Sequence, residues 1–177
     1  NMYRFGRILL EESQVFFESR FSFGSVNLKP LLPGHTLVVS RRCAPRLIDL
    51  PPEEAADLLL SARIIANTLE KHFGATSITL ALQDGPDAGQ TVQHVHIHII
   101  PRKPNDMKWN DEIYRQLESE QKEPERKPRT ADEMAQESIL FRTLFPSNQP
   151  GSHFGGEAGQ LLLSTPSSSS SSSSSVL

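Results

Sequence analysis

The chain has 177 residues, of which 37% are hydrophobic, enough for one compact domain with tails. Its formal net charge of −3 excludes the strongly basic surface of a non-specific nucleic-acid binder, so any phosphate must be held locally. Cys43 is the only cysteine, which excludes an internal disulfide and a cysteine-rich metal cage. The absence of any run of about 18 apolar residues leaves no segment to span a membrane. The first residues carry no signal-peptide core, and the expected location is the cytoplasm, with the nucleus as a second compartment.

In chain order, β-rich runs occur at Val15–Glu18, Phe21–Asn27 and Thr36–Ser40, separated by turn signals at Asn27–Lys29 and Pro30–Gly34. Their close spacing favours hairpins and an antiparallel sheet. Pro51 and Pro52 then open a long helix, with Glu53 and Glu54 at its positive end. Leu58, Ala62, Ile65, Leu69 and Phe73 recur on one face, and Gly74 is a natural stop. Further strands are expected at Ser77–Gln83 and Thr91–Ile100. A short polar helix is expected from Asn110 to about Glu120, and a second helix opens at Thr130 with capping-box spacing to Glu133. Residues 121–129, charged and broken by prolines, are expected to form a mobile loop. The serine run Ser167–Ser175 cannot bury enough apolar surface to offset chain entropy. The expected organisation is therefore a domain over 1–146 and a disordered Gly/Ser-rich tail over 147–177.

The chemistry concentrates between Gln83 and Arg102. His94, His96 and His98 alternate with Val95, Ile97 and Ile99. If all lie in one strand, the imidazoles share one face and the β-branched residues the other. Two readings follow. Two of these histidines could ligate one zinc ion, but His94 and His98 would stand about 13 Å apart along a strand, so three ligands from this row are hard to converge. Alternatively, a neutral imidazole near pH 7 offers a nucleophilic nitrogen for a displacement at phosphorus, with its neighbours as proton donors. The preceding loop favours phosphate. Gly85 and Gly89 permit unusual backbone angles, backbone N–H groups in such a turn can cradle an anion, and Gln83, Gln90 and Thr91 add neutral donors.

The run His94-Val95-His96-Ile97-His98-Ile99-Ile100 resembles the histidine triad pattern, in which histidines alternate with apolar residues. Gln83–Arg102 and Val26–Val38 resemble, more narrowly, the fragile histidine triad branch of dinucleoside triphosphate hydrolases, and the similarity extends from about Tyr3 to Phe145. The resemblance implies an α+β fold: a five-stranded antiparallel sheet, one long helix on one face, and C-terminal helices. It implies His96 as the nucleophile, with His94 and His98 as flanking partners and His35 supporting the triad from a neighbouring strand. Gln83, Gln90, Thr91 and the Gly89 and Val92 backbones resemble the phosphate-contacting set. Asn27 matches the ribose contact, and Phe5, Ile8 and Leu37 the base pocket. Ile8 stands where some relatives have a polar or imidazole side chain, and Ser25 where an apolar one is common.

Histidine at position 98, where sugar-phosphate nucleotidylyltransferases carry glutamine, favours hydrolysis. Thr91 after Gln90, and Pro101-Arg102 after the triad, favour the dinucleoside triphosphatase branch over phosphoramidate hydrolases. The expected reaction cleaves diadenosine triphosphate to AMP and ADP through a nucleotidyl-histidine intermediate. No tightly bound cofactor or protein metal is expected, though Mg²⁺ or Mn²⁺ can accompany the polyphosphate. A homodimer is implied, with neither nucleic acid nor membrane as partner. The rival readings are hydrolysis or phosphorolysis of adenylylsulfate or an adenosine phosphoramidate, and a nucleotide-sensing protein whose charged loop and Tyr114 face a partner.

Overall fold

A computed structural model describes residues 2–118 and 127–151. Most of the charged 121–129 segment and the tail from 152 onward lie outside these described residues. The elements in order are β1 (Met2–Phe5), β2 (Ile8–Glu11), β3 (Val15–Glu18), β4 (Ser22–Val26), β5 (Thr36–Ser40), α1 (Pro52–Phe73), β6 (Ser77–Ala81), β7 (His96–Arg102), α2 (Glu112–Glu118) and α3 (Ala131–Leu144). The five-stranded sheet has the order β3-β4-β5-β7-β6 and is antiparallel throughout.

Side chains of a strand alternate between faces, and both faces of this sheet are covered. On one face Phe16, Val26, Val38, Ile97 and Ile99 meet Leu58, Ala62, Ile65 and Leu69 of α1. The helix starts with Pro52 in its first turn and ends on Gly74, whose φ of 57° lets the chain reverse while Ala75 N–H bonds Glu70 O at 2.9 Å. At Gly24 of β4 an added Cβ would lie 3.0 Å from Ile65, so the missing side chain brings helix and sheet together. Helix α3 begins with the expected capping box between Thr130 and Glu133. It joins this core through Phe141, whose ring stands edge-on to Phe16 at 5.3 Å.

The other face carries two smaller clusters. At one end the β1–β2 hairpin brings Tyr3 and Phe5 against Val15, Phe23, Leu37 and Val39. At the other, Ile113 and Leu117 of α2 pack on Ala81 and Ile100. His96 and His98 point into this face between them, because Val39 pairs with His96 and Leu37 with His98.

Three features depart from the sequence reading. The β1–β2 hairpin is unexpected: its strands have four residues each, and β2 is largely exposed, so it shows no apolar alternation. The strand expected over Thr91–Ile100 begins only at His96; residues 91–95 form a loop held by Val95 N–H to Ala44 O at 2.8 Å. Contacts of the fold also extend past Pro146. Glu18 N–H donates to Asn148 O at 2.6 Å, and Asn148 Nδ2 donates back to Glu18 O at 3.0 Å.

Phe141 is fully buried. Phe141→Ala is expected to lower the unfolding free energy by about 3–5 kcal/mol in urea denaturation, the usual effect of deleting a core aromatic ring.

Candidate active site

Groups that can act in only one sense place the protons of the triad, directly at His94 and His96 and through His35 at His98. His94 Nε2 lies 2.7 Å from Ser40 O, a carbonyl that can only accept, so Nε2 carries the hydrogen. Its Nδ1 then accepts the Gly6 N–H at 3.0 Å. His96 Nδ1 lies 2.7 Å from the carbonyl oxygen of His94 and must donate to it, which leaves the lone pair on His96 Nε2. A two-residue return to the backbone of its neighbour thus orients the ring and selects its tautomer.

His98 is set through His35. The Leu32–His35 turn places Pro33 and Gly34 at its centre, with His35 N–H on Leu32 O at 3.1 Å and Gly34 at φ 82°. A Cβ at Gly34 would collide with the Phe73 ring at 2.5 Å, so glycine is required here twice over. The turn delivers a His35 ring that is 1% exposed. Leu31 N–H donates to His35 Nδ1 at 3.0 Å, which puts the His35 proton on Nε2. That nitrogen is 2.9 Å from His98 Nδ1 and 3.1 Å from Asn27 Nδ2. Asn27 Oδ1 is held by Lys29 N–H at 3.0 Å, so the amide group facing His35 is a donor; it cannot take the Nε2 proton, and its 3.1 Å approach is a donor–donor contact rather than a hydrogen bond. The proton goes to His98 Nδ1, and His98 must carry its own hydrogen on Nε2.

Burial lowers the pKa of His94, His96 and His98, most strongly at His98, where His96 and His35 add to the effect. At neutral pH the three rings are uncharged. The arrangement offers an unprotonated nitrogen on His96 beside an N–H donor on His98, their rings 5.0 Å apart.

The structure brings His35, His94, His96, His98 and Asn27 together, but His94 reaches the group from the loop before β7 and not from the strand. The expected row of three along one strand is therefore two strand residues and one loop residue. Phe5 packs edge-on to His96 at 4.9 Å and lies 5.9 Å from His94, while Leu37 lies opposite His98 in the register. Ile8, paired with Phe5 in the hairpin, is half exposed at its rim.

The loop before β7 is braced from within. Gly89, at φ 84°, leaves the space where a Cβ would meet Gln83 Nε2 at 2.6 Å. Gln90, expected among the phosphate contacts, has both ends of its amide engaged within the protein. Its Oε1 accepts Gly85 N–H and its Nε2 donates to Pro45 O, each at 2.8 Å. Val92 packs against the hairpin and occupies the space beside Gly6, where a Cβ would approach it to 2.6 Å. Thr91 is exposed.

The partners that sequence reasoning missed are mostly backbone groups: Ser40 O, His94 O, Leu31 N and Gly6 N. Every residue carries such groups, so no residue-type signal marks them. Gly6-Arg7 was the available clue to the hairpin, since a glycine at positive φ suits a two-residue hairpin turn. Among the described residues no group of three His, Cys, Asp or Glu side chains is arranged to hold a metal ion, and no helix is long and apolar enough to cross a membrane.

Three of these four imidazoles belong to the run that resembles the histidine triad pattern. The HIT domain model matches residues 10–105, and the chain belongs to this family. A bis(5'-adenosyl)-triphosphatase of Dictyostelium discoideum is 51% identical over 145 residues, covering 82% of this chain and 94% of that protein. The Arabidopsis thaliana protein named bifunctional bis(5'-adenosyl)-triphosphatase/adenylylsulfatase FHIT is 46% identical over 151 residues, covering 81% and 84%. The crystal structure of Plasmodium falciparum diadenosine triphosphate hydrolase in complex with cyclomarin A superposes with a TM-score of 0.69 at 34% identity, covering 83% of this chain and 86% of that one.

The buried neutral rings have a thermodynamic consequence. In the unfolded chain histidine takes up a proton near pH 6.5, whereas the native rings resist it, so the unfolded state binds more protons as pH falls. Stability is therefore expected to drop as pH is lowered from about 7.5 to about 5.5, read as a falling urea midpoint, and His98→Asn is expected to flatten that slope.

Proposed function

We propose that this protein hydrolyses dinucleoside polyphosphates of the diadenosine triphosphate type to AMP and ADP, with His96 as covalent nucleophile. The observation that carries this reading is the tautomer of His96. Its Nδ1–H is committed to His94 O at 2.7 Å, so the lone pair on Nε2 is the nitrogen available to attack. In the first step a bond forms between Nε2 and the α-phosphorus, and the bond from that phosphorus to the bridging oxygen breaks. The electron pair leaves with ADP. His98 Nε2–H stabilises the charge growing on the departing or non-bridging oxygens. The adduct ring becomes cationic, and His94 O, accepting Nδ1–H, stabilises it. Water then attacks phosphorus and loses a proton to solvent, the P–N bond breaks with its electrons returning to Nε2, and AMP is released. The names of the Dictyostelium and Plasmodium relatives support this substrate class.

Further parts of the reading rest on the family resemblance. Gln83, Thr91 and the Gly89 and Val92 backbones are proposed to receive the phosphates, Phe5, Ile8 and Leu37 the base, and Asn27 the ribose. Mg²⁺ or Mn²⁺ is proposed to arrive with the polyphosphate rather than on protein ligands. We also propose a homodimer; the exposed apolar side chains Leu59 and Ile64 on α1 and Leu80 on the edge strand β6 support it. Adenylylsulfate hydrolysis is a second reading, favoured by the name of the Arabidopsis relative. Relative kcat/KM on the two substrates separates them.

His96→Asn is expected to reduce turnover of diadenosine triphosphate by at least about 10⁴-fold while nucleotide binding persists. His98→Asn should lose about 10²–10⁴-fold, the range for one hydrogen-bond or proton donor in a transition state. A quenched wild-type reaction should yield an adenylyl group on the peptide containing His96. Turnover by His96→Asn at the parent rate, or an adduct on another residue, would remove His96 from the role.

A further inference from the structure

The β1–β2 hairpin forms its own two-stranded sheet and pairs with no strand of the main one, so side-chain contacts and isolated hydrogen bonds decide where it sits. Two hydrogen bonds tie it across the histidine face. At the turn, Gly6 N–H donates to His94 Nδ1 at 3.0 Å. Farther along, Tyr3 Oη–H donates to Glu18 Oε1 at 2.5 Å. Tyr3 and Phe5 lie on the same side of β1, so fixing Tyr3 fixes the Phe5 ring that covers His96.

Glu18 is 6% exposed and lies on β3, one of the two edge strands of the five-stranded sheet. A carboxylate buried to this degree persists only if its oxygens are satisfied. Oε1 accepts Tyr3 and pairs with Arg41 Nη2 at 2.9 Å. Oε2 accepts the backbone N–H of Gly151 at 3.1 Å. The backbone of Glu18 also exchanges hydrogen bonds with Asn148 on both sides. Gly151 adopts φ 81°, a conformation suited to glycine, and brings its N–H onto the carboxylate. The segment beyond α3 is thus joined to the cap over the nucleophile through one side chain.

We propose that Glu18 is a positioning residue through which residues 148–151 hold the N-terminal hairpin against His94 and His96, and so set the affinity for the nucleoside half of the substrate. His96 is 5% exposed and the Phe5 ring packs edge-on against it, so the placement of Phe5 determines the space beside the imidazole. His94 keeps its bond to Ser40 when the hairpin loosens, so the histidine geometry survives while the wall facing the nucleoside loses definition. The substrate part of this inference rests on the proposed function; the coupling between segment and hairpin does not.

The test uses three full-length variants. Tyr3→Phe removes only the hydroxyl. Glu18→Gln keeps the shape and weakens both the Tyr3 and the Arg41 contacts. Asn148→Ala/Gly151→Pro withdraws both segment donors, since proline has no N–H and cannot adopt a positive φ. Hydrogen exchange of the amides of residues 3–8 is expected to rise about 10-fold in each variant. KM for diadenosine triphosphate is expected to rise about 3–10-fold with kcat within about 2-fold of the parent. Combining Tyr3→Phe with the segment variant should give less than the sum of the two effects, because both act through Glu18. Unchanged exchange in the hairpin, or full additivity, overturns the coupling. Faster exchange with an unchanged or lowered KM overturns the positioning role and leaves Glu18 a purely structural group. If the parent hydrolyses no dinucleoside polyphosphate, the proposed function fails, and the exchange measurement still decides the coupling.

Discussion

The contact between His96 Nδ1 and the carbonyl oxygen of His94 is the constraint from which the chemistry of the site follows. A free imidazole exchanges its proton between two nitrogens and presents either to a substrate. Here one nitrogen is held by an acceptor that cannot donate, and the other is left bare. The same logic repeats around it. Ser40 O fixes His94, and the Leu31 N–H fixes His35, which in turn fixes His98. Backbone groups, whose protonation never changes, impose a defined tautomer on each ring.

Such an arrangement needs the rings to be neutral and immobile, and both conditions come from burial. The sheet supplies them by being covered on both sides. The α1 face is a continuous apolar core. On the opposite face the hairpin and α2 leave His96 and His98 between two smaller clusters. Desolvation then lowers the pKa of each triad ring. The same burial makes the native state sensitive to acid, because its histidines resist the protons that the unfolded chain accepts.

The loops are as constrained as the strands. Gly34 clears Phe73 and Pro101 so that His35 can turn inward, and Gly6 clears Val92 so that the hairpin can reach His94. Gln90 closes the Gly85 turn onto Pro45, holding the loop that leads into β7. Glu18 extends this network to the opposite edge of the sheet, where the chain beyond α3 meets β3. Residues far apart in sequence therefore share the work of holding four imidazoles in place.

Much of this was legible without coordinates. The alternation of His96, Ile97, His98 and Ile99 determined that one face of the last central strand would be apolar and the other imidazole, since a strand has a period of two. The spacing of Leu58, Ala62, Ile65 and Leu69 determined α1, and Thr130 with Glu133 determined the start of α3. What the tertiary structure alone decided was the origin of His94 in a loop, the hairpin over His96, the engagement of Gln90 within its own loop, and the docking of Asn148 and Gly151 on Glu18. The reason is the nature of the groups involved. Periodicity and residue type report which side chains share a face, but a hydrogen bond to a backbone carbonyl or N–H many residues away depends on where the folded chain brings that group, and every residue offers the same ones.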